Sequence, residues 1–294
     1  MKIRPRRSVL YMPGSNGRAL EKAKTLTADA LILDLEDAVA PESKALAREQ
    51  VAAAVAQGGY GRRELVIRIN GLETPWGEED LAAAIGARPD GILVPKVNRR
   101  EDIAAISARL DRAGLPETVR LWAMMETPLA MLNAREIASA AADTRLACLV
   151  MGTNDLAKET RAGLGEGRMA MVPWLMTCVA AARAFGLDIV DGVFNDFHNE
   201  QGFSAECQQG RLFGFDGKTL IHPGQLAMAN ETFRPSDNEV VTARKIIAAF
   251  DLPENAGKGA INLDGRMVER LHCEIARRTV AMADAIAELD GAQP

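Results

Sequence analysis

The chain has 294 residues, 48% of them hydrophobic and 26% charged, with a formal charge of −5. A chain of this length buries a large core without staples, and its acidic balance leaves no basic footprint for nucleic acid or for an anionic membrane. Four cysteines (Cys148, Cys178, Cys207, Cys273) form no CxxC pair and three histidines (His198, His222, His272) lack ligand spacing, which argues against zinc and for buried thiols in a reducing cytoplasm.

In MKIRPRRSVLYMPG the charges precede only a short apolar run, too short for a signal-peptide core or a membrane span. That run, Ser8–Met12, is the first of eight β-rich apolar segments. Pro13, Gly14, Ser15 and Asn16 then open a helical stretch, Gly17–Thr25. Their N–H groups could take an anion, but a Ser or Asn cap is the simpler expectation. Ala30–Leu35 follows, then a helix over Ser43–Ala56 started by Pro41 and Glu42. Glu64–Ile69 and Gly91–Val97 are the third and fourth runs. A helix over Arg100–Ala113 is expected between a capping box of Asn98 with Glu101 and a stop at Gly114. Val119–Met125, a helix over Ala130–Ala142, Leu146–Met151, a helix over Met169–Phe185 stopped by Gly186, Leu187–Val193 and Gly217–Ile221 complete the series.

Most of these runs lack period-2 alternation, as strands buried on both faces do in a parallel sheet. Eight βα units predict an α/β fold, a closed (β/α)₈ TIM barrel over residues 1–235. The competing doubly wound sheet has fewer strands, and its dinucleotide form needs a GxGxxG that is absent here. Beyond the barrel, a helical stretch (Asp237–Phe250), a turn-rich one (Asp251–Gly265) and an amphipathic helix (about Met267–Leu289) form a C-terminal extension, 236–294, expected to pack on a neighbouring subunit.

Catalytic groups of such barrels stand at the C-terminal ends of the strands. The polar residues there are Glu36 with Asp37, Arg68 with Asn70, Lys96, Glu126, Asp155, Asp191 and His222, each about thirty residues from the next, one βα unit. Clustered carboxylates repel unless a cation neutralises them, and Mg²⁺ suits one or two carboxylates plus substrate oxygens and water. Glu126 and Asp155 follow adjacent strands and are the expected metal pair. Arg68 lies amid apolar residues in VIRIN, where it would pair with Glu36 or Asp37, or bind a substrate carboxylate or oxyanion. Asp34 sits one layer deeper on the face of Glu36 and reads as structural. His222 fits an acid–base group or a structural turn equally and stays outside the catalytic set.

RSVLYMPG, LILDLEDAVAPESKALAR, VIRIN, ILVPKV, METP, GTNDLAKE and GFDGKTLIHPGQL, in this order over nearly the whole chain, resemble the HpcH/HpaI aldolase–citrate lyase β-subunit family. LDLEDAVAPESK and GKTLIHPGQ are together the specific part. The resemblance implies a Mg²⁺-dependent TIM barrel, trimeric or hexameric, that cleaves a β-hydroxyacyl-CoA thioester such as malyl-CoA or citramalyl-CoA to acetyl-CoA and a 2-oxoacid. It implies metal ligation by Glu126 and Asp155, enolate stabilisation by Arg68, and a substrate pocket lined by Glu36, Asp37, Arg68 and Glu126. Relatives with a C-terminal extension lend an aspartate to the neighbouring subunit's site as proton donor. The matching residue in GRMVER is Glu269, one methylene longer. The other readings are a citrate lyase β subunit acting on citryl-ACP, a CoA-independent pyruvate aldolase, a malyl-CoA-type thioesterase, and a barrel that binds a CoA ester without turnover. The carbon–carbon lyase is the leading expectation.

Overall fold

Residues 3–291 are described by a computed structural model. Eight strands, β1 (Ser8–Pro13), β2 (Ala30–Asp34), β3 (Glu64–Arg68), β4 (Gly91–Val94), β5 (Arg120–Met125), β6 (Leu146–Met151), β7 (Asp188–Asp191) and β8 (Gly217–Leu220), pair in chain order, and β8 returns to β1 as a closed barrel. All eight pairings are parallel. Val9, Ala30, Ile32, Val66, Leu93, Trp122, Met124, Cys148, Val150 and Val190 fill the interior. The residues between them pack outward against helices, so the strands are apolar on both faces.

The end of the barrel opposite the mouth is tied by buried ion pairs. Arg6 donates to both Glu64 oxygens at 2.8 Å and stacks over Trp122. Arg7 grips Asp29 at 2.8 and 2.9 Å.

The helices follow the expected periodicity with local corrections. Gly114 and Gly186, at φ 68° and 69°, end their helices in the left-handed conformation that spares glycine a Cβ clash. The expected capping box of Asn98 with Glu101 is not formed. Asp102 instead accepts the Asn98 and Arg99 N–H groups at 2.8 and 3.0 Å. The single helix expected over Ala130–Ala142 is broken into Pro128–Leu132 and Ala134–Ser139, followed by a 3₁₀ turn. The break is at Asn133, whose amide donates to Asn98 O at 2.9 Å and so serves a tertiary contact. Helices Gly77–Ala87, Thr153–Thr160, Glu200–Phe213 and Leu226–Phe233 supply the remaining cover.

The chain divides into two compact units, the barrel over Arg6–Thr232 and a second unit beginning at Phe233 that includes residues 3–5. The second unit holds the helix Asp237–Phe250, strands β9 (Ala260–Leu263) and β10 (Arg266–Glu269), and the helix Arg270–Asp290, around Phe250, Ile261, Val268 and Cys273. Two expectations are corrected here: the turn-rich 251–265 segment contains a strand, and Met267 lies in its hairpin partner rather than at the start of the last helix. Asp264 and Gly265, at φ 51° and 80°, make the two-residue turn that a twisted hairpin prefers. No helix among the described residues is long and apolar enough to cross a membrane. All four cysteines are free and buried.

Candidate active site

The strand ends gather their polar side chains at one mouth. Arg68 ends β3 opposite Asp34 of β2 in register. It donates to both Asp34 oxygens, at 2.7 Å from Nε and 2.6 Å from its second terminal nitrogen. Asp34 also accepts the N–H groups of Glu36 and Ala38 at 2.9 and 3.0 Å. Asp34 is therefore structural, as expected, and it is the main partner of Arg68, a role the sequence had pointed to Glu36 or Asp37. The other terminal nitrogen of Arg68, NH1, lies 2.8 Å from Glu36 Oε2 and 3.4 Å from Asp37 Oδ2. The guanidinium lies over the Tyr11 ring at 4.8 Å. Burial works against its charge, but Asp34 and its neighbours hold its pKa well above the ordinary value.

Glu126 follows β5, and Thr127 beside it caps the next helix by accepting the Ala130 N–H at 3.0 Å. Glu126 is 1% exposed. Its Oε1 accepts the Lys96 N–H at 2.7 Å, which Lys96 presents from a left-handed backbone at φ 49°. Such conformations outside glycine cost on the order of 1–3 kcal/mol and concentrate at functional sites. Gly152 makes room for Glu126: a Cβ there would lie 2.4 Å from Glu126 Cβ and 2.6 Å from Oε2. Asp155 stands in the first turn of the helix Thr153–Thr160, where the helix dipole favours an anion. Burial pushes the Glu126 carboxyl up to about 7 against the pull of Lys96, and Glu36 up to about 8 against that of Arg68.

The Lys96 ammonium lies 2.7 Å from Asp155 and 3.9 Å from Glu126. One ammonium thus lies between the two carboxylates, hydrogen-bonded to Asp155 and within ion-pair distance of Glu126. No cluster of three or more His, Cys, Asp or Glu able to hold a metal occurs among the described residues. The donor set is two carboxylate side chains, and a hard ion there would complete its shell with water or substrate oxygens, the habit of Mg²⁺.

Other expected rim residues have different roles. Asp191 is consumed by Arg168 at 2.8 Å and Lys218 at 2.9 Å, in a network that includes Glu206. Asn70 donates to Leu35 O at 2.7 Å and accepts from Lys44, which also binds Leu35 O and Glu36 O. His222 accepts the Gly224 N–H on Nδ1 and stacks on Phe197 at 4.8 Å, so it builds a turn. Asn16 caps the helix after β1 by accepting the Ala19 N–H, the simpler of the two expectations. Glu269 belongs to the second unit, at the end of β10, where its N–H donates to His272 Nδ1 at 3.0 Å. Tyr11, Lys44 and Arg168 were not singled out by sequence. For Tyr11 a signal existed: a polar-tipped ring inside an otherwise apolar strand-end run, YMPG.

The HpcH/HpaI aldolase/citrate lyase family profile matches residues 7–223. The chain belongs to that family. It is 52% identical over 283 residues to a (3S)-malyl-CoA thioesterase of Cereibacter sphaeroides, covering 96% of both chains. It is 36% identical over 307 residues to an L-malyl-CoA/β-methylmalyl-CoA lyase of the same species, again covering 96% of both. Its fold superposes with a TM-score of 0.74 on the CitE protein of Mycobacterium tuberculosis in complex with magnesium, acetoacetate and coenzyme A, at 25% identity over 96% of this chain and 98% of that one. These similarities overturn the carbon–carbon lyase expected as the leading activity, because the thioesterase is far more similar than the lyase. The reason the motifs misled is chemical. Both relatives are named for a malyl-CoA ester, so motifs held in common with them do not by themselves say which bond breaks.

Proposed function

We propose that the chain is a hydrolase of a malyl-CoA-type thioester, releasing the hydroxy diacid and free CoA. The observation that carries this reading is the 52% identity to a (3S)-malyl-CoA thioesterase over 96% of both chains. The site geometry supports it. Glu126 and Asp155 would hold a Mg²⁺ ion, which when bound supplies Lewis-acid charge to hydroxy-acid oxygens of the substrate. Arg68 spends two nitrogens on Asp34; NH1, which lies 2.8 Å from Glu36 Oε2 and 3.4 Å from Asp37 Oδ2, is the nitrogen left to donate to the thioester carbonyl oxygen. An aimed donor of this kind stabilises a tetrahedral oxyanion by about 3–4 kcal/mol. Asp34, held by two backbone N–H groups, keeps that donor from moving.

The test is malyl-CoA with Mg²⁺, with free CoA, acetyl-CoA and glyoxylate scored separately. Free CoA and malate are expected without acetyl-CoA; acetyl-CoA with glyoxylate as the products would refute the reading. Asp155→Asn should abolish the Mg²⁺-dependent release of CoA, and full activity in that variant would remove Asp155 from the metal site.

The second unit is read as an arm that packs on another copy of the chain. Met267 in β10, and Leu271 and Ile275 one turn apart in the last helix, are 72%, 50% and 60% exposed and support this as apolar side chains open to a partner. The four buried thiols favour a reducing compartment.

A further inference from the structure

The carboxylates at the mouth differ in how their oxygens are used. Asp34 commits both to Arg68 and to backbone N–H groups. Glu126 and Asp155 face the shared cation position, now taken by Lys96. Asp37 has a side chain 68% exposed, so water solvates it. Glu36 differs from these in meeting its cation, Arg68, without a hydrogen bond. It is 9% exposed, and its Oε2 is buried and accepts no hydrogen bond. Arg68 NH1 is 2.8 Å away, but it makes an ion contact there and not a hydrogen bond. Among the described residues, Glu36 Oε2 is the one carboxylate oxygen in this condition. Native proteins rarely leave such an atom without a hydrogen bond, and where they do a catalytic role is one of the usual reasons.

We propose that Glu36 is the general base that activates the hydrolytic water. The inference rests on the thioester-hydrolase reading above. The water oxygen adds to the thioester carbonyl carbon while one of its protons passes to Glu36 Oε2. The carbonyl π pair moves to oxygen, beside Arg68 NH1. The intermediate collapses, the C–S bond breaks with its electron pair on sulfur, and Glu36 returns the proton to the departing thiolate. One water and one thioester give one carboxylic acid and one thiol, and Glu36 ends as the carboxylate it began.

The position is rigid. Glu36 N–H donates to Asp34 at 2.9 Å, and Glu36 O accepts from Lys44 Nζ at 2.7 Å, so both ends of its peptide are held. The charged and titratable groups acting on it are Arg68, Asp34, Asp37, Glu126, Lys44, Lys96 and Tyr11. Burial outweighs the opposing pull of Arg68 and holds the carboxyl at about 8, a basicity suited to taking a proton near neutrality.

The experiment begins with the wild-type chain and malyl-CoA plus Mg²⁺. Acetyl-CoA and a 2-oxoacid as its products would sink the hydrolase reading before Glu36 is questioned. With hydrolysis established, Glu36→Gln should lower kcat by about 10²–10⁴-fold with KM within about threefold. Glu36→Ala should regain CoA release on adding formate, which supplies a carboxylate to the vacated space and which a purely structural residue would not answer. Should Glu36→Gln not fold, Glu36→Asp serves: the shorter acid should cost about tenfold or more in kcat. A kcat within threefold of wild type in the folded variant, or a loss confined to KM, overturns the proposal.

Discussion

In the proposed hydrolysis Arg68 has two duties, which its three nitrogens divide. Nε and one terminal nitrogen fork onto Asp34, and the other lies 2.8 Å from Glu36 Oε2. Lysine is a point charge without that fork. Arg68→Lys should therefore fold but lose on the order of 10²–10³-fold in kcat, the usual cost of one oxyanion donor. A kcat within threefold of wild type would show that NH1 does not touch the reacting carbonyl. Glu126 gives a second prediction at this scale. Burial raises its carboxyl to about 7, and a ligand must be deprotonated to bind metal. Mg²⁺ affinity, followed by calorimetry, should rise as pH passes from 6 to 8 through that value; a flat profile would contradict it. These residue identities were only partly legible in sequence. The thirty-residue step put Glu126, Asp155 and Arg68 on one rim, but Asp34 as the partner of Arg68 follows from the cross-strand register, in which residues 34 and 68 are paired.

At the scale of elements, the loop between β6 and the helix Thr153–Thr160 shows how backbone serves side chain. Gly152 is the space into which Glu126 fits. Gly152→Ala should displace Glu126 and depress both Mg²⁺ binding and turnover, while leaving the barrel's circular dichroism unchanged. Unaltered Mg²⁺ affinity would contradict the close approach. The Asp191–Arg168–Lys218 network ties β7, β8 and the 161–171 segment together. Burial alone would raise the Asp191 carboxyl, but Lys218 and Arg168 outweigh it and hold the pKa below the ordinary value. The native state therefore binds its proton less readily than the unfolded chain. Its stabilisation is present above the ordinary aspartate pKa of about 3.9 and is lost as pH falls below it. Lys218→Met, which removes one buried partner of a buried charge, should lower the unfolding free energy by about 3–5 kcal/mol in urea titrations at pH 7. A loss below 1 kcal/mol would mean that Arg168 alone suffices.

For the molecule as a whole, the barrel presents one mouth and the second unit presents exposed Met267 together with a helical apolar row, Leu271 and Ile275. If that row packs on another copy, Leu271→Glu with Ile275→Glu should lower the sedimentation mass to that of one chain. An assembled wild type whose mass the double variant leaves unchanged would place the interface elsewhere. Large exposed apolar patches usually mark such interfaces.

The sequence by itself determined the eight strands, the parallel closed barrel and the order of polar groups around its rim. The reason is that burial on both faces writes a local apolar signal into each run, and the βα step carries the register forward. It also carried the family, through LDLEDAVAPESK and GKTLIHPGQ. The tertiary structure decided what depends on directions across the barrel. It assigned Asp34 to Arg68, withdrew Asp191 and His222 into structural contacts, and left Glu36 with a buried oxygen that meets Arg68 without a hydrogen bond. Pairing between side chains far apart in the chain depends on orientation and desolvation at the closed mouth, and neither is encoded in spacing.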